Sequence, residues 1–114
     1  MLRVFGIKRC DTMARAMNWL ADQHIEFQLH DYKKDGVPSE LLRDWIRRAG
    51  WQNLVNSRGT TFRKLPPEQT AGLDDERALA LLQANPSAIR RPVVDHDGEL
   101  LIGFDAVRWA EVLK

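Results

Sequence analysis

The sequence predicts an α/β protein with a mixed four-stranded sheet, and three patterns carry this prediction. A strand pattern, a helical repeat and a second strand pattern follow one another near the N-terminus, which is the order of a βαβ unit. An Asp-Gly pair between two apolar runs near the C-terminus is a strong hairpin signal. A last helical repeat follows that hairpin. The chain of 114 residues has the length of one compact domain.

The first strand is predicted over residues 2–7, where apolar, β-branched and aromatic side chains are concentrated. A helix is expected after it, because four apolar residues recur at helical spacing: Met13, Ala16, Met17 and Leu20. Either Asp11 or Thr12 can cap this helix by accepting from a first-turn amide. Residues 26–32 alternate polar and apolar side chains and predict a second strand, parallel to the first.

The middle of the chain, about residues 39–88, is predicted to be a helical insertion. Its helix ends are marked by capping residues, glycine and proline: Ser39 before a first helix, Gly50 after it, Pro66-Pro67 before a short helix, Asp74 or Asp75 before a longer one, and Asn85-Pro86 after that. Residues 51–65 have no clear period, so we expect one short helical turn with loops there.

Two strands are predicted at residues 92–95 and 99–102, on either side of His96-Asp97-Gly98. Asp105 is predicted to cap the last helix. Its apolar face is expected to comprise Ala106, Ala110 and Leu113, widened by Val107 and Trp109. Parallel strands around a helix, followed by a closing hairpin and helix, form the βαβ…ββα order of a thioredoxin-like fold, here with a helical insertion.

Composition excludes several classes of function. Seventeen basic and 16 acidic residues leave a net charge of +1, so no broad affinity for nucleic acid is expected. The single cysteine allows no intramolecular disulfide and no cysteine-based zinc site, and the three histidines lack ligand spacing, so no metal site is expected. No apolar run has the ~18 residues of a membrane helix. The N-terminus has no charged-then-apolar leader pattern, so we expect a cytoplasmic protein.

Cys10 is the leading candidate for chemistry. It lies in the predicted loop before a helix, where unpaired amides and the helix dipole stabilise a thiolate. Lys8 and Arg9 add positive potential, whereas Asp11 opposes it. Such a setting lowers a cysteine pKa from about 8.5 to roughly 3.5–7.5. The alternative is an inert, buried small residue, but the charged neighbours favour a reactive thiol.

The residue three positions after Cys10 is Met13, where many thiol oxidoreductases have a resolving cysteine. We expect Met13 to pack in the core. With no second cysteine in the chain, any mixed disulfide on Cys10 has to be resolved by an external thiol.

Two arginines are candidates for binding an anion near Cys10. Arg91 precedes Pro92 at the start of the third predicted strand, and the bond between them is either cis or trans. The planar guanidinium suits an oxyanion or a carboxylate; the alternative is a surface arginine before an ordinary trans proline. Arg58 lies in an aperiodic stretch before Gly59, where loop residues are free to face a site. Its alternative is a solvated loop arginine.

Three segments together resemble the arsenate reductase (ArsC)/Spx family: residues 6–12 around Cys10, Arg58 before Gly59, and residues 89–92 followed by residues 101–104. Within the family, the chain is most similar to the YffB subgroup of glutathione-dependent thiol reductases. The resemblance covers essentially the whole chain. It implies a thioredoxin-like fold with a helical insertion, Cys10 as the nucleophile, and Arg58 and Arg91 as matches to two oxyanion-binding arginines.

The chain departs from the arsenate reductase pattern at two places. Gly6 stands where those enzymes have a histidine, and residues 99–103 lack the third arginine. The chain also departs from the Spx-type regulators, which bind RNA polymerase and usually carry two cysteines in Cys-x-x-Cys spacing. Met13 replaces the second cysteine here.

These observations predict an oxidoreductase, a glutathione-dependent thiol reductase related to arsenate reductase. Glutathione is the expected co-substrate, no cofactor is expected to be bound, and the substrate is a small thiol, disulfide or oxyanion. Cys10 is the expected catalytic residue; Arg58, Arg91 and Lys8 are expected to bind substrate, and Thr12 and Pro92 are expected to shape the site. The alternative is an Spx-like regulator that binds RNA polymerase or another protein without catalysis. A third reading is a family member whose function has drifted.

Overall fold

The computed structural model describes residues 2–8 and 10–114, which contain four strands and a series of helices. The strands are β1 (Leu2–Gly6), β2 (Phe27–Asp31), β3 (Val93–His96) and β4 (Glu99–Ile102). The helices are α1 (Asp11–Asp22), α2 (Tyr32–Asp35), α3 (Ser39–Ala49), α4 (Trp51–Leu54), α5 (Thr60–Arg63), α6 (Pro67–Thr70), α7 (Asp75–Ala84) and α8 (Ala106–Leu113), with a 3₁₀ turn at Pro86–Ala88.

The sheet is mixed and has the strand order β2-β1-β3-β4. Strand β1 is parallel to β2, with Leu2 opposite Phe27, and antiparallel to β3, with Phe5 opposite Val93. The hairpin of β3 and β4 turns at Asp97-Gly98, both of which have positive φ, as the favoured two-residue hairpin turns require. The predicted thioredoxin-like order with a mixed four-stranded sheet is confirmed.

The chain forms two compact units. The first comprises Met1–Asp35 and Arg91–Lys114 and contains the whole sheet with α1, α2 and α8. The second comprises Gly36–Arg90 and contains α3 to α7. The helical insertion predicted at about residues 39–88 falls within the second unit, and the single-domain organisation stays a prediction.

The core of the first unit is built by one face of the sheet with α1 and α8. Its buried members are Val4, Met13, Ala16, Leu20, Val94, Leu101 and Trp109. The Trp109 ring meets Phe104 and Trp19 edge-on at centroid distances of 5.0 and 6.1 Å, and its Nε1 donates to the Gly103 carbonyl at 3.1 Å. The Met13 prediction is confirmed, since this side chain is completely buried.

The predicted apolar face of α8 is wrong in part. Trp109 is buried, but Val107 is 71% exposed and Ala106 is exposed as well. Burial of the large indole, together with its hydrogen bond to Gly103, sets the rotation of the helix. This rotation in turn determines whether each smaller apolar side chain of the helix is buried or exposed.

The core of the second unit lies where α3 packs against α7. Its buried side chains include Leu42, Trp45, Ile46, Leu54, Ala78, Leu79, Leu81, Leu82 and Ile89. Backbone pairing joins the end of this segment to its middle, because Asn56 N donates to Ala88 O and Arg90 N donates to Leu54 O, both at 2.8 Å. The insertion therefore returns close to its own middle before the chain enters β3.

Several predicted helix ends are confirmed. Asp74 caps α7 by accepting from Arg77 N at 2.8 Å, and Asp105 caps α8 by accepting from Val107 N at 3.0 Å. Gly50, with φ of 87°, ends α3, and Asn85 ends α7. Pro66 precedes the short helix α6 as expected.

Other local predictions are wrong. Ser39 is the first residue of α3, and Pro38 occupies its N-cap position. Residues 51–65 contain two helical turns, α4 and α5, instead of one. Residues 32–35 form a helical turn where strand and loop were expected. A single turn is too short to show a helical period, so the sequence pattern could not reveal it. No described helix combines the length and apolar character needed to cross a membrane.

Candidate active site around Cys10

Cys10 lies between β1 and α1 and occupies the N-cap position of α1, with φ −154° and ψ 134°. The prediction that Asp11 or Thr12 caps this helix is therefore wrong, because the backbone is already helical at Asp11. The first-turn amides that a capping oxygen would accept from are placed around the thiol instead. Cys10 is half-buried and packs against the core of the first unit, so its sulfur remains within reach of solvent.

The surroundings of Cys10 favour its thiolate. Burial raises the pKa of the Cys10 thiol, but the Met13 amide, a hydrogen bond from Arg91, the Thr12 amide and the charge of Arg91 together outweigh burial. The net effect holds the pKa of Cys10 below its ordinary value. The side chain makes no capping hydrogen bond of standard geometry, so the amides act on the sulfur mainly as dipoles aimed at it.

Arg91 begins the C-terminal segment of the first unit, and its side chain lies close to Cys10. It precedes β3, and the Arg91–Pro92 peptide bond, left open by the sequence, is cis. Pro92 is buried, and its carbonyl accepts from Gly103 N at 2.8 Å, which ties the start of β3 to the end of β4. The Arg91 side chain reaches the Cys10 thiol from there. The structure thus brings together three residues singled out from the sequence, Cys10, Thr12 and Arg91.

Two further residues lie beside this pair, and the sequence analysis gave neither of them a role in the site. Gly6, at the end of β1, is buried, and a Cβ there would lie 3.5 Å from the Arg91 Cβ. Tyr32 is completely buried; burial raises the pKa of its phenol far above the ordinary range, and the Arg91 charge only partly opposes this. The sequence pattern places both in predicted strands. The signal for Gly6 is that it stands where arsenate reductases have a histidine, and Tyr32 carries no signal of its own.

The other predicted substrate-binding residues are exposed. Lys8 lies in a bend after β1, and Arg9 lies outside the described residues. Arg58 belongs to the second unit and lies in the turn before α5, in which Gly59 N donates to Asn56 O at 3.1 Å. Across residues 2–8 and 10–114, no group of three His, Cys, Asp or Glu side chains is placed to hold a metal ion.

Comparison with known proteins connects this geometry to a family. The model of the ArsC family matches residues 5–112 of the chain. An uncharacterized protein of Haemophilus influenzae is 46% identical over 105 residues, which is 92% of each chain. A global transcriptional regulator Spx of Streptococcus pyogenes is 26% identical over 111 residues, covering 92% of this chain and 79% of the regulator.

Solved structures give the same result. A YffB protein is 43% identical over the full length of both chains, with a TM-score of 0.96. An arsenate reductase (ArsC) related protein from Brucella melitensis is 41% identical, covers 96% of this chain and 92% of its own, and has a TM-score of 0.77. An arsenate reductase from Vibrio cholerae, 19% identical with a TM-score of 0.83, shares the fold.

Proposed function

This chain belongs to the ArsC family, and we propose that it is a glutathione-dependent thiol reductase in which Cys10 is the single nucleophile. The observation that carries the proposal is the position of Cys10 at the N-cap of a 12-residue helix with the Arg91 guanidinium beside it. A thiolate held there is ionised for attack and remains accessible. The protein would act in the cytoplasm, where glutathione keeps thiols reduced.

The proposed reaction uses two thiol–disulfide exchanges. In the first, the Cys10 thiolate attacks one sulfur of a disulfide, forms a new S–S bond and releases the other sulfur as a thiolate, which takes up a proton. In the second, glutathione thiolate attacks the mixed disulfide and regenerates the Cys10 thiolate. When the substrate is a mixed disulfide of glutathione and the glutathionyl group passes to Cys10, the products are the substrate thiol and glutathione disulfide, and the free glutathione and the one already in the substrate together supply the two electrons. Any other small disulfide needs two turnovers: the first yields its mixed disulfide with glutathione, and the second uses another glutathione to release the last thiol. No second protein thiol is needed.

The cations are proposed to bind the charged parts of the substrate. Arg91 would hold a carboxylate of glutathione or an oxyanion, because its planar fork donates two parallel hydrogen bonds. Arg58 is proposed for the same task from its match to an oxyanion-binding arginine of the family, and Lys8 would add positive potential. Gly6 and the absence of an arginine in residues 99–103 favour a disulfide substrate over arsenate.

The test is turnover of a small disulfide by glutathione, coupled to glutathione reductase. We expect the wild-type protein to be active and Cys10→Ser to be inactive, because a hydroxyl does not form the mixed disulfide. Mass spectrometry of wild-type protein quenched with acid should show one glutathione on Cys10. Full turnover by Cys10→Ser would overturn the proposal. Arsenate in place of the disulfide tests the oxyanion substrate in the same assay.

The similarity to Spx regulators supports a second candidate, a protein that binds RNA polymerase without catalysis. The chain has no second cysteine in Cys-x-x-Cys spacing, so a disulfide switch of that type is not available to it. A pull-down with the tagged protein at micromolar concentration distinguishes the two functions. Recovery of polymerase by both wild type and Cys10→Ser would favour the regulator, and no recovery would count against it.

A further inference from the structure

Gly6 is a glycine because of space and not because of backbone conformation. It is absent from the glycines with positive φ, so an ordinary residue could adopt its backbone. A Cβ at this position, however, would collide with the Met13 Sδ and would lie 2.7 Å from the Met13 Cε. The Arg91 Cβ lies 3.5 Å from the same point. The thioether of Met13 therefore fills the volume that a side chain at position 6 would take, next to the stem of Arg91.

Met13 is connected to both members of the Cys10–Arg91 pair, to Cys10 through its backbone amide and to Arg91 through the space at Gly6. Its backbone amide, in the first turn of α1, points at the Cys10 thiol. Its side chain is completely buried, and its Cε lies 2.7 Å from the point where a Gly6 Cβ would stand, which is itself 3.5 Å from the Arg91 Cβ. A change in the Met13 side chain can thus alter the distance between the guanidinium and the sulfur without touching either group.

We propose that Met13, seated in the space left by Gly6, is a positioning residue that holds the Arg91 stem and the Cys10 loop at the separation at which the guanidinium acts on the sulfur. Methionine suits this place because its unbranched thioether fills irregular gaps. A cavity at this point would allow the Arg91 stem to move inward, and the effect of a charge falls with distance. The inference concerns the state of the thiol, so it holds whether or not the protein turns over glutathione.

The experiment is the rate of Cys10 alkylation by iodoacetamide against pH, which gives the thiol pKa in the folded protein. We expect Met13→Ala to raise the midpoint by about one unit, the size of one lost charge or hydrogen-bond contribution. Met13→Leu, which conserves the volume of the side chain, should keep the wild-type midpoint. Leu20→Ala is the matched control, because Leu20 is equally buried in the same helix but far along it. It should lower the melting temperature and leave the midpoint unchanged.

A second route avoids the loss of core volume. Gly6→Ala places a methyl group against the flexible end of Met13, which can turn away without unfolding the protein. Because the displaced Met13 side chain no longer fixes the spacing between the Arg91 stem and the Cys10 loop, we expect this variant to raise the midpoint as well. In an Arg91→Ala chain, neither change should have a further effect, since both act through the guanidinium.

A folded Gly6→Ala variant with the wild-type midpoint would overturn the proposal. This test remains available even if Met13→Ala does not fold. A midpoint that rises equally in Leu20→Ala would also overturn it, because the shift would then report general loosening of the core. If Met13→Ala or Gly6→Ala still raises the midpoint in the Arg91→Ala chain, the proposal is also overturned, because the effect then comes from another contact of Met13.

Discussion

Cys10 is a thiol whose ionisation is set by its neighbours. Met13 and Thr12 amides and the Arg91 guanidinium favour the thiolate more than burial opposes it, so the pKa lies below its ordinary value. We expect iodoacetamide to alkylate the folded protein with a midpoint well below the ~8.5 of a free cysteine. The same profile measured in denaturant provides the reference. A midpoint at or above 8.5 in the folded protein would show that Cys10 is not a poised nucleophile and would favour the regulator.

Arg91 supplies a fork of donors that lysine does not have. We expect Arg91→Lys to keep the positive charge but to lose most of the activity with a small disulfide, about tenfold or more in kcat/KM, because bidentate binding is lost. Arg15→Lys, on the exposed side of α1, is the matched control and should behave as wild type. Equal activity of the two variants would show that the Arg91 guanidinium does not bind the substrate.

The residues of the site differ in how far the sequence predicts them. The charged neighbours of Cys10 and the predicted helix after it were enough to single it out, and Arg91 could be named as a candidate from the proline that follows it. The parts that sequence could not supply depend on three-dimensional contacts. Nothing local to Gly6 shows that Met13 fills its side-chain space, and nothing local to Tyr32 shows that it is buried near the Arg91 charge.

At the scale of the elements, α1 begins on a residue that is a poor conventional cap. Cys10 makes no capping hydrogen bond of standard geometry, whereas serine is among the best N-cap residues. We expect Cys10→Ser to unfold at higher urea than wild type, with a gain of up to about 1 kcal/mol near neutral pH. Cys10→Ala is the control, since it has no oxygen to accept from the amides and should show no such gain.

The gain from Cys10→Ser should depend on pH. Because the folded-state pKa of Cys10 is lowered, the wild type gains stability as the pH rises from that pKa toward the pKa of the unfolded chain. The advantage of serine should shrink across that interval and be largest below it. If serine has the same advantage at every pH, the N-cap position of α1 does not stabilise the Cys10 thiolate.

The caps of the other helices are conventional. The Asp105 carboxylate accepts from Val107 N at 3.0 Å and from Arg108 N at 3.4 Å. We expect Asp105→Ala to cost about 1 kcal/mol in the free energy of unfolding, measured with urea, and Asp105→Asn to cost much less, because asparagine caps about as well. Equal losses in the two variants would mean that charge, and not capping, is the contribution of this residue.

The success of element prediction follows the strength of each local signal. Strands β1, β2 and β4 and the Asp97-Gly98 turn follow from alternation and turn chemistry, which are local properties. The single-turn helices α2 and α5 have no period to detect. The predicted buried face of α8 is wrong at Ala106 and Val107, because the packing of the Trp109 indole, which donates to the Gly103 carbonyl, decides which face is buried.

At the scale of the whole molecule, we expect a single cooperative unfolding transition. Each of the two compact units has fewer than 60 residues, and a unit of that size is marginal on its own because it buries only about 60% of its unfolded surface. Hydrogen exchange on the intact chain checks this. The slowest amides of α1 and of α7 should report the same free energy of opening. Two clearly different values would show that the units unfold separately.

The pairing of β1 with β3 has a consequence for the newborn chain. Cys10 is made early, whereas Arg91 and the strand that follows it are made about 80 residues later, which at roughly 5–20 residues per second is an interval of about 4–16 s. During that interval the cysteine lacks Arg91, and of the described groups that favour its thiolate only the Met13 and Thr12 amides of the helix that follows it have been made. The contribution of Arg91 to the reactivity of the thiol is therefore added only after β3 has been made and has paired with β1.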